Sequence, residues 1–261
     1  MRIGLIGGSG INKIEGLEII KEVNISTPYG EPSSSYIIGI FTNNEIIFLL
    51  RHGHNHNIPP HKINYRANIY GFKTLGVERI ISVSAVGGIN KSMPPGTIVI
   101  PDQIIDMTGG ARPSTFYDSD KVVHIDFTEP FCPELRHSLI ETSKTSGIDF
   151  SDKGTYICVN GPRLETAKEI LFFSQIGADV VGMTAMPEAS LARELEICYS
   201  LMSVITNYGA GISENKLTTK EVIDTMQNSI EKIRTILRYA LPKISLERSC
   251  PCKDALKDAE F

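Results

Sequence analysis

One short stretch constrains the fold more than any other. The apolar run Ala178-Asp179-Val180-Val181 breaks into Gly182-Met183-Thr184-Ala185-Met186-Pro187-Glu188. A β-branched run that closes in small residues reads as a strand end, and Pro187 sits where the first turn of a helix tolerates it. Glu188, Leu191 and Ala192 then follow at helical spacing. This strand-to-helix passage places Met183 and Thr184 at a strand's carboxyl end, the edge at which α/β proteins bind ligands.

The same passage recurs along the chain. Residues 2 to 6 form a hydrophobic strand that runs into Gly7-Gly8-Ser9-Gly10, whose successive N–H groups and Ser9 hydroxyl suit an anion. A dinucleotide fingerprint would need Gly-x-Gly-x-x-Gly opening a helix, with an acid about 20 residues on. Here residues 11 to 24 read as loop and strand instead. Ser35 to Phe41 and Glu45 to Leu50 form a hairpin around Thr42-Asn43-Asn44, and the second strand ends in Arg51-His52-Gly53-His54-Asn55-His56. Three alternating histidines suggest a metal, but no nearby Cys, Asp or Glu completes a ligand set, whereas arginine beside imidazole is a fork for phosphate oxygens. A helix over 64–75, a strand over 79–83 ending in Ser84-Ala85-Val86-Gly87-Gly88, and a strand pair split by Pro101-Asp102 come next. Residues 106 to 126 read as a polar surface loop. A helix over 133–147, a strand over 154–159 leading to Asn160-Gly161-Pro162-Arg163-Leu164-Glu165, and a helix over 166–175 follow. The apolar strand 197–205 delivers Thr206-Asn207-Tyr208-Gly209, and an amphipathic helix over 218–241 opens with a Thr218/Glu221 cap. The order implies an α/β fold: one domain over 1–245 with a mixed central sheet flanked by helices, and a polar, poorly ordered tail over 246–261.

Ser9, Arg51, Ser84, Glu165, Thr184 and Asn207 thus all stand at strand ends, too many for turn chemistry alone. The charge balance excludes one class of partner. With 26 Lys+Arg against 30 Asp+Glu and no basic block, nothing concentrates attraction to a phosphate backbone, so no nucleic acid is expected. The short apolar run at the N-terminus is neither a secretory signal nor a spanning helix, which gives the expectation of a soluble cytoplasmic protein without a membrane partner. Five cysteines, Cys132, Cys158, Cys198, Cys250 and Cys252, are an odd number without metal-site spacing, so no metal is expected. Cys158 and Cys198 read as packed hydrophobes, while Cys250-Pro251-Cys252 sits on the polar tail, as a harmless end, a redox pair or a clip.

Taken in order, Gly7-Gly8-Ser9-Gly10, Arg51-His52-Gly53, Ser84-Ala85-Val86-Gly87-Gly88, Glu129-Pro130-Phe131-Cys132, Gly161-Pro162-Arg163, Met183-Thr184-Ala185-Met186-Pro187-Glu188 and Thr206-Asn207-Tyr208 resemble the purine nucleoside phosphorylases of the methylthioadenosine phosphorylase branch. The resemblance spans residues 2 to about 241. It implies a single α/β domain, a homotrimer or dimer of trimers, and reversible phosphorolysis of an N-glycosidic bond with inorganic phosphate as co-substrate and no cofactor. By the same resemblance Ser9, Arg51, His52, Ser84, Ala85 and Thr184 hold phosphate, with Arg51 supplying the full charge. Met183 binds the ribose diol, and Leu164, Tyr208 and Gly209 are further substrate-binding residues. Thr219, Val222, His56 and His124 match pocket-edge positions, His124 reaching in from a neighbouring subunit. Adenine-using members carry acids where this chain has Asn207 and Gly209. Asn207 can donate to a 6-keto oxygen and to N7, and Glu165 can accept from the N1–H of a 6-oxopurine, although a helix-terminal carboxylate on the macrodipole is the other reading of Glu165. The resemblance therefore favours inosine, guanosine or 5'-methylthioinosine over methylthioadenosine, with Asn207, Glu165 and His52 as the reacting groups.

Overall fold

The computed structural model describes residues 1–260 apart from 9, 12 and 214–218, together with all side chains in that range except those of Thr219 and Glu221. The Thr218 cap therefore lies outside the described residues. Eleven strands form one mixed sheet. The first half is β1 (Arg2–Gly7), β2 (Glu18–Val23), the hairpin β3 (Tyr36–Phe41) and β4 (Asn44–Leu50), helix α1 (Tyr65–Thr74) and β5 (Arg79–Gly88). There follow β6 (Ile98–Val99), β7 (Gln103–Met107), α2 (Pro133–Thr145), β8 (Phe150–Ser151) and β9 (Thr155–Val159). The chain then gives α3 (Ala167–Gln175), β10 (Val180–Gly182), α4 (Ala185–Glu194), β11 (Cys198–Tyr208) and α5 (Thr219–Ala240). The strand β2 occupies the place where a dinucleotide fold needs its first helix.

Near-continuous β-branched runs suit strands buried on both faces, and β1, β5 and β11 are buried almost throughout. Strand β5 organises the sheet. One of its edges is taken along its whole length by β11, from Arg79↔Cys198 to Gly88↔Tyr208. The other edge is shared: β1 pairs with it in parallel only as far as Ser82, and β10 pairs with it antiparallel only at Gly87 and Gly88. Between them, from Val83 to Val86, that edge of β5 has no strand partner among the described residues, and the sheet forks. Strand β5 is longer than the sequence implies, because its glycine-rich end is held by two neighbours and not left as a turn.

Tertiary contacts also revise the end of the chain. The tail over 246–261, expected to be poorly ordered, takes a short 3-10 turn at Pro251–Asp254, beyond an earlier one at Leu241–Lys243, and Cys250, Cys252 and Ala259 are buried. Arg79 fastens it by donating to the carbonyls of Ser245 and Glu247, at 2.8 and 2.7 Å. Polar residues there face solvent while the cysteines turn inward, a division that composition averages away.

Candidate active site

The fork beside β5 gathers side chains from several elements. Arg51 leaves the end of β4 and is buried, its own N–H donating to the Gly7 carbonyl at the end of β1. Its guanidinium donates from Nε to Glu188 Oε1 at 2.5 Å and from Nη2 to Glu188 Oε2 at 3.1 Å. It also donates to the Val83 carbonyl on the unpaired edge at 2.9 Å, and to Ser82 Oγ. Glu188 is fully buried in α4 and takes two more hydrogen bonds, from Ser82 at 3.1 Å and Tyr199 at 2.8 Å. Burial alone would lower the guanidinium's affinity for its proton. The Glu188 charge and hydrogen bonds outweigh that and hold it raised.

The free positive charge expected of Arg51 is therefore absent: Glu188 neutralises it within the protein, and among its described partners one Nη1 hydrogen is left uncommitted. The sequence names Glu188 but gives no sign of the pair, because its partners lie 137 residues apart.

His52 follows on the turn and stacks with His56 at a centroid separation of 4.4 Å. Its Nδ1 lies 2.8 Å from the Ile58 carbonyl, which can only accept, so Nδ1 carries the hydrogen and Nε2 is left as an acceptor. Burial and the neighbouring Arg51 charge lower its pKa to about 4, so the ring is neutral near pH 7. His54 points elsewhere, 3.4 Å from Ser35 Oγ and 3.7 Å from Glu22. The three histidines do not converge.

Beside the unpaired edge, Ser84 is buried with its hydroxyl 3.3 Å from that of Ser203, while Ala85 is exposed within an otherwise buried strand end. Since β10 runs antiparallel to β5 with Val181 opposite Gly87, continuing that register carries Met183 and Thr184 back toward Ala85 and Ser84. Thr184 is the N-cap of α4, makes no side-chain capping bond, and donates its N–H to Tyr156 Oη at 3.3 Å. Glu188 follows it beyond a break at Met186 and Pro187, whose backbone is not helical, so the regular part of α4 starts later than Pro187 suggested and Glu188 anchors Arg51 from its beginning.

Arg112, in the segment read as a surface loop, is buried here. It donates to the carbonyls of Met183, Met186 and Asn160, each at 2.7 Å, and to Asn160 Oδ1 at 3.1 Å. Tyr65 Oη completes its shell at 3.1 Å. No carboxylate stands among its described partners, so it is a buried cation balanced by carbonyl dipoles. A lone arginine among Gly and Pro carries no sequence signal of that role.

The residues expected at the base stand on β11 and just ahead of α3, two elements that the turn after β11 packs together. A bulge between Ile205 and Asn207 inserts Thr206 into β11 and sets Asn207 opposite Gly87. Asn207 is buried; Thr206 Oγ1 donates to its Oδ1 at 2.9 Å, and its Nδ2 donates to the Tyr208 carbonyl at 2.9 Å. These two contacts fix which end of the amide is the donor and leave one N–H over. Tyr208 is half-buried, and Gly209 donates its N–H to the Gly88 carbonyl at 2.7 Å. A Cβ at Gly209 would lie 2.9 Å from Ile170, and one at Gly211 would lie 2.7 Å from Ala167, so this turn packs directly on the first turns of α3.

Glu165 precedes that helix. The helix is capped by Thr166, whose hydroxyl accepts from the Glu169 N–H while the Glu169 carboxylate accepts in return, and Glu169 is also bound by Arg163. The macrodipole role open to Glu165 is thus performed by Glu169. Glu165 is half-buried, and burial pushes its carboxyl above the usual range, with its own backbone N–H and Arg163 only partly opposing. At the neighbouring turn, a Cβ on Gly161 would lie 2.4 Å from Met183 Sδ, which puts the Glu165 loop against the Met183 strand end.

The remaining expected residues spread out. Ser9 lies outside the described residues, but the next glycine of its loop is held by Arg234 of α5, whose Nε and Nη2 lie 2.9 and 2.7 Å from the Gly10 carbonyl. Thr219 starts α5 with an undescribed side chain, Val222 is half-buried on its first turn, and Leu164 is 56% exposed. His124 lies at the C-terminal segment, its N–H bonded to the Ala259 carbonyl at 2.9 Å, in a cleft shared with Asp126, Glu129, Arg193 and Asp258. Its own chain does not carry it to the strand ends.

Residues 2–242 match the Phosphorylase superfamily. A probable S-methyl-5'-thioinosine phosphorylase of Thermodesulfovibrio yellowstonii is 57% identical over 261 residues, covering 100% of this chain and 98% of that protein. A 6-oxopurine nucleoside phosphorylase of Pyrococcus furiosus is 51% identical, covering 99% and 98%. Among solved structures, a methylthioadenosine phosphorylase from an antarctic soil metagenomic library superposes with a TM-score of 0.93 at 37% identity, over 99% of this chain and 92% of that one. With a forked mixed sheet, a match along nearly all its length and relatives identical at more than half their positions, the chain belongs to the Phosphorylase superfamily.

Proposed function

We propose that the protein catalyses the reversible phosphorolysis of 6-oxopurine nucleosides, releasing the free base and ribose 1-phosphate, or its 5-methylthio analogue, in purine salvage. A phosphate oxygen bonds to C1' as the bond from C1' to the purine N9 breaks, the bonding pair leaves with the base, and the base takes a proton. Inorganic phosphate is the only co-reactant in this scheme.

Phosphate is held at the β5 fork by hydroxyl and N–H donors from Ser9, Ser84, Ala85 and Thr184. Arg51 contributes its uncommitted hydrogen and a rigid frame in place of net charge. Neutral His52 offers Nε2 as an acceptor for a P–OH group. Such donors, fixed before the reaction, stabilise charge as it develops without reorganising. Met183 takes the ribose, with Arg112 holding its carbonyl.

The observation that supports the choice of base is the orientation of the Asn207 amide, its Nδ2 donating to the Tyr208 carbonyl with one N–H to spare, joined by a Glu165 that is not used to cap α3. The spare Asn207 N–H faces the 6-keto oxygen and N7, and Glu165 accepts from N1–H. Adenine presents a 6-amino donor to a donor and no hydrogen at N1. A half-buried Val222 at the pocket edge suits a thioether as well as a hydroxymethyl group, so 5'-methylthioinosine stands beside inosine and guanosine. Two features support a homotrimer or dimer of trimers. His124 lies away from its own strand ends, and Leu164, Leu171, Phe172 and Ile176 are apolar and 40 to 56% exposed around α3.

The test is a comparison of kcat/KM for inosine, guanosine, adenosine, methylthioadenosine and methylthioinosine with phosphate. A buried acceptor facing a missing donor costs about 1–3 kcal/mol, so the 6-oxo nucleosides should lead by about tenfold or more. A lead for either adenine nucleoside overturns the reading.

A further inference from the structure

Four of the five cysteines meet at one point, although they come from three distant parts of the chain. Cys132 is the N-cap of α2, Cys198 opens β11, and Cys250 and Cys252 lie on the C-terminal segment. All four are buried and all are free thiols. Their Sγ atoms lie within 4.8 Å of one another, with those of Cys198 and Cys250 3.4 Å apart. A tetrahedral ion with metal–sulfur bonds of about 2.3 Å sets its sulfurs about 3.8 Å apart, a value this span brackets. Cys158 does not join them; its sulfur contacts the Met186 backbone.

The surroundings are built for negative charge on sulfur. Arg79, buried in β5, directs Nη1 toward Cys198 Sγ at 3.9 Å, and its Nε–H has no hydrogen-bond partner although it is buried. A buried N–H without a partner is rare and costly. A thiolate on Cys198 gives the guanidinium an electrostatic counterpart through Nη1. Glu134 pairs with Arg79 from one side, so the guanidinium serves both the carboxylate and the sulfurs. Cys132 stands at the N-terminal end of a 13-residue helix, whose dipole favours a thiolate there.

We propose that Cys132, Cys198, Cys250 and Cys252 form a structural tetrathiolate site for a divalent thiophilic metal ion, zinc foremost. Binding exchanges four thiol protons, released to solvent, for one M2+, and the resulting centre carries two negative charges against Arg79 and the helix end. With all four positions filled by protein the site is closed, so it has no place for a substrate and acts as a clip. It joins the C-terminal segment to the start of β11 and to α2. None of its ligands belongs to the proposed nucleoside site, so it stands or falls independently of that reading.

The test uses the full chain, expressed with zinc in the medium and purified under reducing conditions. Elemental analysis should find about one zinc per chain, released as the thiols are titrated with a mercurial. Cys252→Ser should lower the zinc content by about tenfold, since a lost ligand weakens the site. Should that variant fail to fold, exchange of cobalt(II) into the wild-type protein decides. Thiolate-to-cobalt charge-transfer bands with intense tetrahedral ligand-field bands support the site, and their absence counts against it. Protein with five titratable thiols and less than about a tenth of a zinc per chain overturns the proposal. So does a non-reducing peptide map that finds these cysteines joined as disulfides.

Discussion

Glu165 shows how one residue can be held in a costly state for a purpose. Its neighbour Thr166 and the arginine-bound Glu169 satisfy the start of α3 without it, and burial raises its carboxyl above the ordinary range. A carboxyl raised in this way stabilises the fold below its unfolded pKa, and that contribution is lost as pH rises through the folded value. Glu165→Gln should therefore leave the melting temperature at pH 7 unchanged or slightly higher, while kcat/KM for inosine drops and the acid limb of its pH profile disappears. A fall in melting temperature with activity intact would return Glu165 to a structural role. His52 does not supply that limb, because its pKa near about 4 keeps it neutral through the working range. Both residues are visible in the sequence as polar groups at strand ends. The neutrality of His52 is not, since it depends on burial and on Arg51 beside it, which together outweigh the Ile58 carbonyl that favours the charged ring.

At the scale of elements, the pairing of β5 decides where chemistry can happen. Its outer edge passes from β1 to β10 and leaves Val83 to Val86 open, and the buried Arg51–Glu188 pair bridges that gap to α4. Breaking a buried pair by removing one charge costs about 3–5 kcal/mol, so Glu188→Gln should lower the free energy of unfolding by that amount in urea denaturation. A loss below 1 kcal/mol, within the range of exposed pairs, would show that Arg51 is solvated and not locked. Arg112→Met should cost about 3 kcal/mol or more, because it strands several buried carbonyls that each lose about 1–3 kcal/mol. The same urea measurement checks it.

The order of helices and longer strands was legible from hydrophobic periodicity, while the two-residue β8 (Phe150–Ser151) was too short to leave a pattern. The fork was not legible, because β1 and β10 contact β5 from positions far apart in the chain. The Asn207 bulge was equally hidden: the insertion of Thr206 leaves no mark on the mostly apolar run 197–205 before it, yet it sets which residue faces Gly87.

Across the whole molecule the proposed chemistry occupies one end of the sheet, and the opposite ends of β5 and β11 are where the tail is fastened. Arg79 and Cys198 pair at the start of these strands, whereas Gly87 and Asn207 pair near their other end. Composition hides the tail's role, because charged residues outnumber the buried cysteines that anchor it. Among the described residues no helix is long and apolar enough to cross a membrane. Both ends of this layout belong to one sheet, whose strands all lie within residues 2–242, the span that matches the Phosphorylase superfamily. The central claim, that an oriented amide and a carboxylate choose a keto-purine, is tested most directly by the ratio of kcat/KM for inosine to that for adenosine, measured in the wild type and in Asn207→Asp. An acid at that position accepts from a 6-amino group and repels a 6-keto oxygen, so the ratio should fall by about tenfold or more in the variant. An unchanged ratio would contradict the account.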